Sequence, residues 1–261
     1  MAEIYELLDE GPLKIGFAPG ASDTLVVSLS GVGRRQWAEP PVEFFQAAKG
    51  RWDNPVLFVR DMSRSWLNCD GMAERIVDVI ETTAAQTGAR KVVALGNSMG
   101  ATMALHLSRL IRFSSVLAFT PQFSVDPAIV PEEKNWMEFR NRIKHFRFPQ
   151  IEGLNTDATR YFVLHGSKPS ELIHALRFPK ARGLAHFILP GMGHKLTFEL
   201  KDRGILNDLV GHAVTGRGIR FRKLLERQGG VFRSTFENRV AGRMANGLPG
   251  LSGAASPRLV A

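Results

Sequence analysis

At 261 residues, with 44% hydrophobic and 23% charged residues, the chain is long enough for one large domain and too apolar for wholesale disorder. No apolar run approaches the roughly 18 residues that a membrane span needs. The acidic opening MAEIYELLDEGPLK lacks a basic-then-apolar leader pattern, and a single cysteine, Cys69, argues against a disulfide framework, so a cytoplasmic location is expected. Of the formal net charge of +9, residues 215–243 hold +6, Arg258 adds one, and residues 1–214 carry only +2. The body is near neutral, and the basic character belongs to the C-terminal part.

In chain order, Lys14 to Pro19 (KIGFAP) and Thr24 to Ser30 (TLVVSLS) read as short strands joined by a Gly20–Asp23 turn. The second runs into a glycine-bearing loop, Ser30 to Arg35. Pro41 to Lys49 reads as a short helix opened by the Pro40–Pro41 pair. Pro55 to Arg60 is a buried-type strand. In Gly71 to Thr87, Met72, Ile76, Val79, Ile80 and Ala84 recur at helical spacing and predict an amphipathic helix covering a sheet.

Next comes Lys91 to Gly100, KVVALGNSMG. An apolar run ends in Gly96-Asn97-Ser98-Met99-Gly100, and a helix-forming segment, Ala101 to Arg112, follows. Strand, sharp turn bearing a serine, then helix is the context that the G-x-S-x-G nucleophile elbow requires. The turn strains the serine backbone, so residues two away on either side must be small, and Gly96 and Gly100 supply that room.

Ser115 to Thr120 is a further strand. Gln122 to Asn155 is a longer polar insertion with Trp136, Phe139, Phe146 and Phe148. Arg160 to Leu164 is a strand, a helix begins near Ser170, and Ala185 to Leu189 is the last strand. Leu196 to Val214 reads as one helix. Strands alternating with helices predict a mostly parallel sheet with helices on both faces.

A serine hydroxyl needs a base within hydrogen-bond reach to act as a nucleophile. Of the seven histidines, His106 and His186 read as packed residues, and His145, His165, His174 and His212 as structural. His194 differs, because it stands just past the last strand, in the glycine-rich loop Pro190-Gly191-Met192-Gly193-His194, before a helix.

With Ser98 in the elbow and His194 after the final strand, residues from about Lys14 to Val214 resemble the α/β-hydrolase superfamily. The resemblance implies an α/β fold with a short lid insertion at about 122–155 in a domain spanning residues 1–214. A basic helical segment is then expected over 215–244 and a flexible tail over 245–261. It implies acyl transfer by Ser98 with His194 as general base, and an oxyanion hole from the Met99 N–H and a donor in Ser30–Gly33, here the Val32 N–H. Relatives commonly have His-Gly where this chain has Ser30-Gly31.

Relatives commonly carry the acid as an aspartate a few residues beyond a His-Gly that follows the strand. Here the stretch reads His165-Gly166-Ser167-Lys168-Pro169-Ser170-Glu171, so Glu171 is the nearest carboxylate. Its competing reading is a first-turn residue behind a Ser170 cap. Asp126, after the strand ending at Thr120, is the alternative acid, and Asp61 reads as a loop-structuring residue.

Gly31, Arg34 and Arg35 near the oxyanion loop, with the basic insertion, raise a small acyl ester or thioester substrate of anionic character, against the competing reading of a solvated face. No cofactor and no metal are expected. Ile219 to Arg227 (IRFRKLLER) alternates basic and apolar residues. Packing through Ile219, Leu224 and Leu225 is favoured there over contact with an anionic membrane or nucleic acid.

The favoured reading is a serine esterase or thioesterase. An acyltransferase with the same triad, or a weakly active or inactive accessory protein, are its alternatives. The phrases Arg60–Trp66 (RDMSRSW) and Pro121–Pro127 (PQFSVDP) resemble segments of hydrolase-like proteins linked with bacterial surface polysaccharide.

Overall fold

The computed structural model describes residues 3–33 and 37–245, so the tail expected over 245–261 lies, apart from Ala245, outside the described residues. Among the described residues, nine strands form one sheet. Across it run β1 (Tyr5–Glu10), β2 (Leu13–Ala18), β4 (Val56–Asp61), β3 (Thr24–Leu29) and β5 (Lys91–Asn97). Then follow β6 (Ser115–Phe119), β7 (Arg160–Gly166), β8 (Leu184–Leu189) and β9 (Val231–Phe232). From β4 to β8 every pairing is parallel, while β1–β2, β2–β4 and β8–β9 are antiparallel.

The central strands are covered on both sides, which is why β3 (TLVVSL) and β6 (SVLAF) are apolar runs buried from end to end. Their side chains still alternate between two cores. Leu25, Val27, Leu29, Val116 and Ala118 meet α2 (Met72–Thr87) and α3 (Met99–Leu107). Val26, Leu117 and Phe119 enter the opposite core, under α1 (Phe45–Lys49), α6 (Leu196–Asp202), α7 (Leu206–Val214) and α8 (Gly218–Arg227). The expected α/β architecture with helices on both faces is what the chain forms.

Several local expectations change. The acidic opening is an edge strand, β1, in which Leu8 alone is buried, so it lacks the alternation that marks a half-buried strand. Helix α1 starts at Phe45 rather than Pro41. The Ser28 and Ser30 hydroxyls donate to the Glu43 and Pro41 carbonyls at 2.9 and 2.6 Å and hold that stretch against β3. Helix α3 stops at Leu107, five residues before Arg112, where the Arg109 and Leu110 amides turn back to His106 and Leu107.

The helix expected from Leu196 to Val214 is two helices. Gly204, at φ +70, ends the first, and the Ile205 amide returns to the Leu200 carbonyl at 3.1 Å. The insertion after β6 carries one short helix, α4 (Met137–Arg140). Its Phe123, Val125, Phe139 and Phe148 join the core beside α3.

The basic C-terminal segment is woven into the domain. In α8, Phe221 and Leu225 are buried while Ile219 is 71% exposed, so Phe221 takes the packing role expected of Ile219. Residues 218, 221 and 225 share one face at spacings of three and four, and 219 falls off it. Strand β9 adds to the edge of β8. At the head of α9 (Arg233–Ala245), the buried Arg233 guanidinium donates to the carbonyls of Ala175, Phe178 and Pro179 at 2.6–3.2 Å.

Candidate active site

Ser98 sits between β5 and α3 with φ 54° and ψ −121°, a strained conformation for a residue with a Cβ. The turn is as tight as the sequence requires. A Cβ on Gly96 would lie 2.4 Å from the Gly100 carbonyl carbon, and one on Gly100 would lie 2.0 Å from the Leu29 oxygen. The first glycine lets the elbow close on itself, and the second lets α3 press against β3. The Ser98 amide is tied to the Phe119 carbonyl at 2.8 Å.

His194 follows β8, as Ser98 follows β5, so both stand at the carboxyl ends of parallel strands, where α/β sheets bind ligands. The His194 Nε2 is 2.9 Å from Ser98 Oγ, and its Nδ1 is 3.0 Å from Glu171 Oε1. Glu171 lies in the first turn of α5 (Pro169–Ala175), with its carboxylate buried. The backbone cap of α5 is Lys168 rather than Ser170, so the capping reading of this stretch shifts by two residues.

A carboxylate can only accept, so Nδ1 carries the proton and Nε2 is left free to accept from the serine hydroxyl. Burial pulls the His194 pKa down. The hydrogen bond and charge of Glu171, with the charges of Glu133 and Glu43, outweigh it and leave the pKa raised.

Asp126, the alternative acid, is not at His194. Its carboxylate accepts from the Ala128 amide at 2.8 Å and its own amide donates to the Ser124 hydroxyl at 3.0 Å, a local turn in the insertion. Asp61 structures its loop as expected, accepting from the Ser65 amide and hydroxyl at 2.7 and 2.9 Å. Arg34 and Arg35 lie outside the described residues. Two insertion arginines are engaged by the protein itself. Arg140 is buried and donates to the Val125 and Glu133 carbonyls, and Arg147 pairs with Glu74.

Two side chains missed in the sequence reach the site. Gln122 Nε2 is 3.0 Å from Ser98 Oγ, while its Oε1 accepts from Trp66 Nε1 at 3.1 Å and Thr102 Oγ1 at 3.0 Å. Gln122 is led there by a left-handed Thr120 (φ 47°) just past β6. Glu43 is the second. Its carboxyl accepts from the Gly31 amide at 3.2 Å, so that amide is already engaged. Burial pushes its pKa up to about 7, against the opposing pull of the Gly31 amide, the Asn97 side chain and the charge on His194. Val32, next in the loop, is buried, and its carbonyl accepts from Arg64 Nε at 3.2 Å.

The remaining buried histidines serve packing. His165 bridges the Pro121 carbonyl and His186, and burial pushes its pKa down to about 4. His174 is joined to Glu133 and the Phe123 amide, and burial takes His106 down to about 3. Among the described residues, no group of three or more His, Cys, Asp or Glu is placed to hold a metal ion, and no helix is long and apolar enough to cross a membrane.

No family model matches the chain, and no curated protein matches it in sequence. In structure it is similar to the capsule O-acetyltransferase of Neisseria meningitidis serogroup A. The TM-score is 0.57 at 12% identity, over 79% of this chain and 93% of that one. It is also similar to an alpha-beta serine hydrolase homologue from Coxiella burnetii. There the TM-score is 0.50 at 10% identity, over 80% of this chain and 95% of that one.

Proposed function

We propose that this chain, whose fold is that of the α/β-hydrolase superfamily, transfers acyl groups through an acyl-enzyme on Ser98. The observation that carries the reading is the unbroken line Ser98 Oγ, His194, Glu171, with contacts of 2.9 and 3.0 Å. In that reading Ser98 Oγ attacks the acyl carbonyl while His194 Nε2 takes its proton. His194 then returns the proton to the leaving alcohol or thiol. A water, deprotonated by the same nitrogen, attacks the acyl-enzyme and regenerates the serine. Glu171 holds the imidazole in the required tautomer.

The charge on the carbonyl oxygen falls to the amides of Met99 and Val32. Met99 supports this assignment because it opens α3, where a first-turn N–H has no partner within the helix and the helix dipole favours negative charge. Each well-placed donor of this kind is worth about 3–4 kcal/mol.

The substrate is a carboxylic ester or thioester, and the segment from Gln122 to Asn155 is the lid over it. The anionic character of the substrate is inferred from the presence of Arg34 and Arg35 in the sequence. The single Cys69 fits a cytoplasmic setting. Incubation with a fluorophosphonate probe tests the nucleophile. Wild type is expected to label at Ser98; no labelling, or equal labelling of Ser98→Ala, sinks the reading.

A second reading keeps the same residues and replaces water with an alcohol acceptor. It is favoured by the likeness to an O-acetyltransferase and by the two phrases Arg60–Trp66 and Pro121–Pro127. Product analysis with and without alcohol acceptors separates the two. The inactive-accessory reading rested on the missing aspartate, and the position of Glu171 weighs against it.

A further inference from the structure

Gln122 is buried, and its side-chain orientation is dictated by its neighbours. Trp66 Nε1 is a donor only, so the Gln122 atom 3.1 Å from it must be the oxygen. The Thr102 hydroxyl contacts the same oxygen and accepts from the Gln122 backbone amide at 2.8 Å. The NH2 end is therefore aimed at Ser98 Oγ, 3.0 Å away. The Ser98 proton points to His194 Nε2, since Nδ1 is committed to Glu171. Oγ is thus the acceptor of a fixed N–H.

Such a bond does little for a neutral hydroxyl and more for an alkoxide, because hydrogen bonds to charged oxygen are roughly twice as strong as neutral ones. Only interactions that strengthen on the way to the transition state accelerate a reaction.

Resting on the reading of Ser98 as nucleophile, we infer that Gln122 is a further catalytic residue. Its side-chain N–H stabilises the negative charge that builds on Ser98 Oγ as the proton leaves for His194. The same donor serves the reverse event. When the acyl-enzyme breaks down, the bond from the carbonyl carbon to Oγ cleaves, the electron pair returns to Oγ, and His194 restores its proton. This is a donor set for the serine oxygen, separate from the amides that face the carbonyl oxygen. Trp66 and Thr102 are its positioning residues, and Thr102 lies on α3, so nucleophile and donor are anchored to one helix.

The test uses a fluorophosphonate, with which Oγ forms a bond to phosphorus, fluoride departs and the proton passes to His194. The maximal inactivation rate and the probe affinity are read separately on the alkaline plateau, where His194 is neutral. Gln122→Met is expected to lower the maximal rate roughly 10- to 100-fold, less than the loss from deleting an oxyanion-hole donor, with affinity unchanged. Gln122→Glu fills the same space but sets a carboxylate against the forming alkoxide, so it should fall below Gln122→Met.

A residue that merely fills space predicts the opposite order, since Glu is the closer match in shape. A Gln122→Met rate within twofold of wild type, or a Gln122→Glu rate at or above that of Gln122→Met, overturns the inference alone. Absence of labelling in wild type overturns the Ser98 reading with it. If Gln122→Met loses the native near-ultraviolet spectrum, Gln122→Glu against wild type carries the comparison, and a rate equal to wild type overturns it.

Discussion

Glu171 Oε1 and His194 Nδ1 lie 3.0 Å apart, the carboxylate buried and the imidazole side chain 38% exposed. The buried carboxylate therefore sets the orientation of the more exposed ring. Glu171→Gln presents an NH2 group to Nδ1, favours the wrong tautomer and protonates the nitrogen that should accept from Ser98. A loss on the order of 10³–10⁴ in kcat is expected by the logic of the Ser-His-acid triad. Asp126→Asn should stay near wild type, because an amide oxygen can still accept from Ala128. Hydrolysis of short-chain p-nitrophenyl esters measures both.

The raised pKa of His194 sets the acid limb of activity. The base must be neutral, so kcat/KM should fall as pH drops through a value above that of an ordinary histidine. Weakening the Glu171 contact by Glu171→Gln should move that limb to lower pH. The stability sign is the reverse: a raised histidine pKa contributes stability below the unfolded value and loses it as pH rises through the folded one. A pH–rate profile of both proteins is the check, and an unmoved limb would count against Glu171 as the source.

Glu43 gives a second pH signature. Its folded pKa of about 7 exceeds the 4.5 of an ordinary glutamate, so the native state binds more protons than the unfolded chain between those values. The contribution of this group to stability therefore declines as pH rises through that window. Glu43→Gln should be better matched to the site at pH 8 than at pH 4, a relative gain on the order of 3 kcal/mol. Denaturant unfolding of both proteins at the two pH values reads the difference directly; a constant offset would refute it.

Gly100→Ala should be among the most damaging single changes, costing roughly 3 kcal/mol or more. The new methyl group would stand 2.0 Å from the Leu29 backbone oxygen, which no rotamer can relieve. Gly211→Ala is the contrast. Its methyl would rest 3.4 Å from the Trp52 ring inside α7, and the helix gains from the substitution, so a neutral or slightly stabilising effect is expected. Thermal melts suffice for both.

In α8, Phe221→Ala should cost about 3–5 kcal/mol, since the ring is fully buried against Phe162 and Phe187. Ile219→Ala should stay within about 0.5 kcal/mol of wild type. Equal losses at the two positions would contradict the packing described above.

Much of this was legible in the primary structure because it is local. An apolar run, a serine between glycines and a helix former announce the elbow within ten residues, and His194 betrays itself by following a strand in a glycine loop. Gln122 and Glu43 carry no such local mark. One is brought to Ser98 by a turn past a neighbouring strand, the other by the stretch that two serine hydroxyls hold against β3. Glu171 was ambiguous because its place in the first turn of a helix suits capping as well as catalysis. The break at Gly204 was missed because apolar spacing continues across it.

Arg233 has a consequence for how the protein is made. Its guanidinium closes the carboxyl end of the turn system that carries Glu171, from a position 62 residues downstream. A nascent chain therefore contains Ser98, Glu171 and His194 well before the group that steadies the acid's helix has been synthesised. A chain truncated after residue 214 would hold every member of the proposed triad and still lack the guanidinium that caps the carbonyls at the end of α5. Fastening of the acid's helix is in that sense a late event in translation, coupled to the arrival of α9.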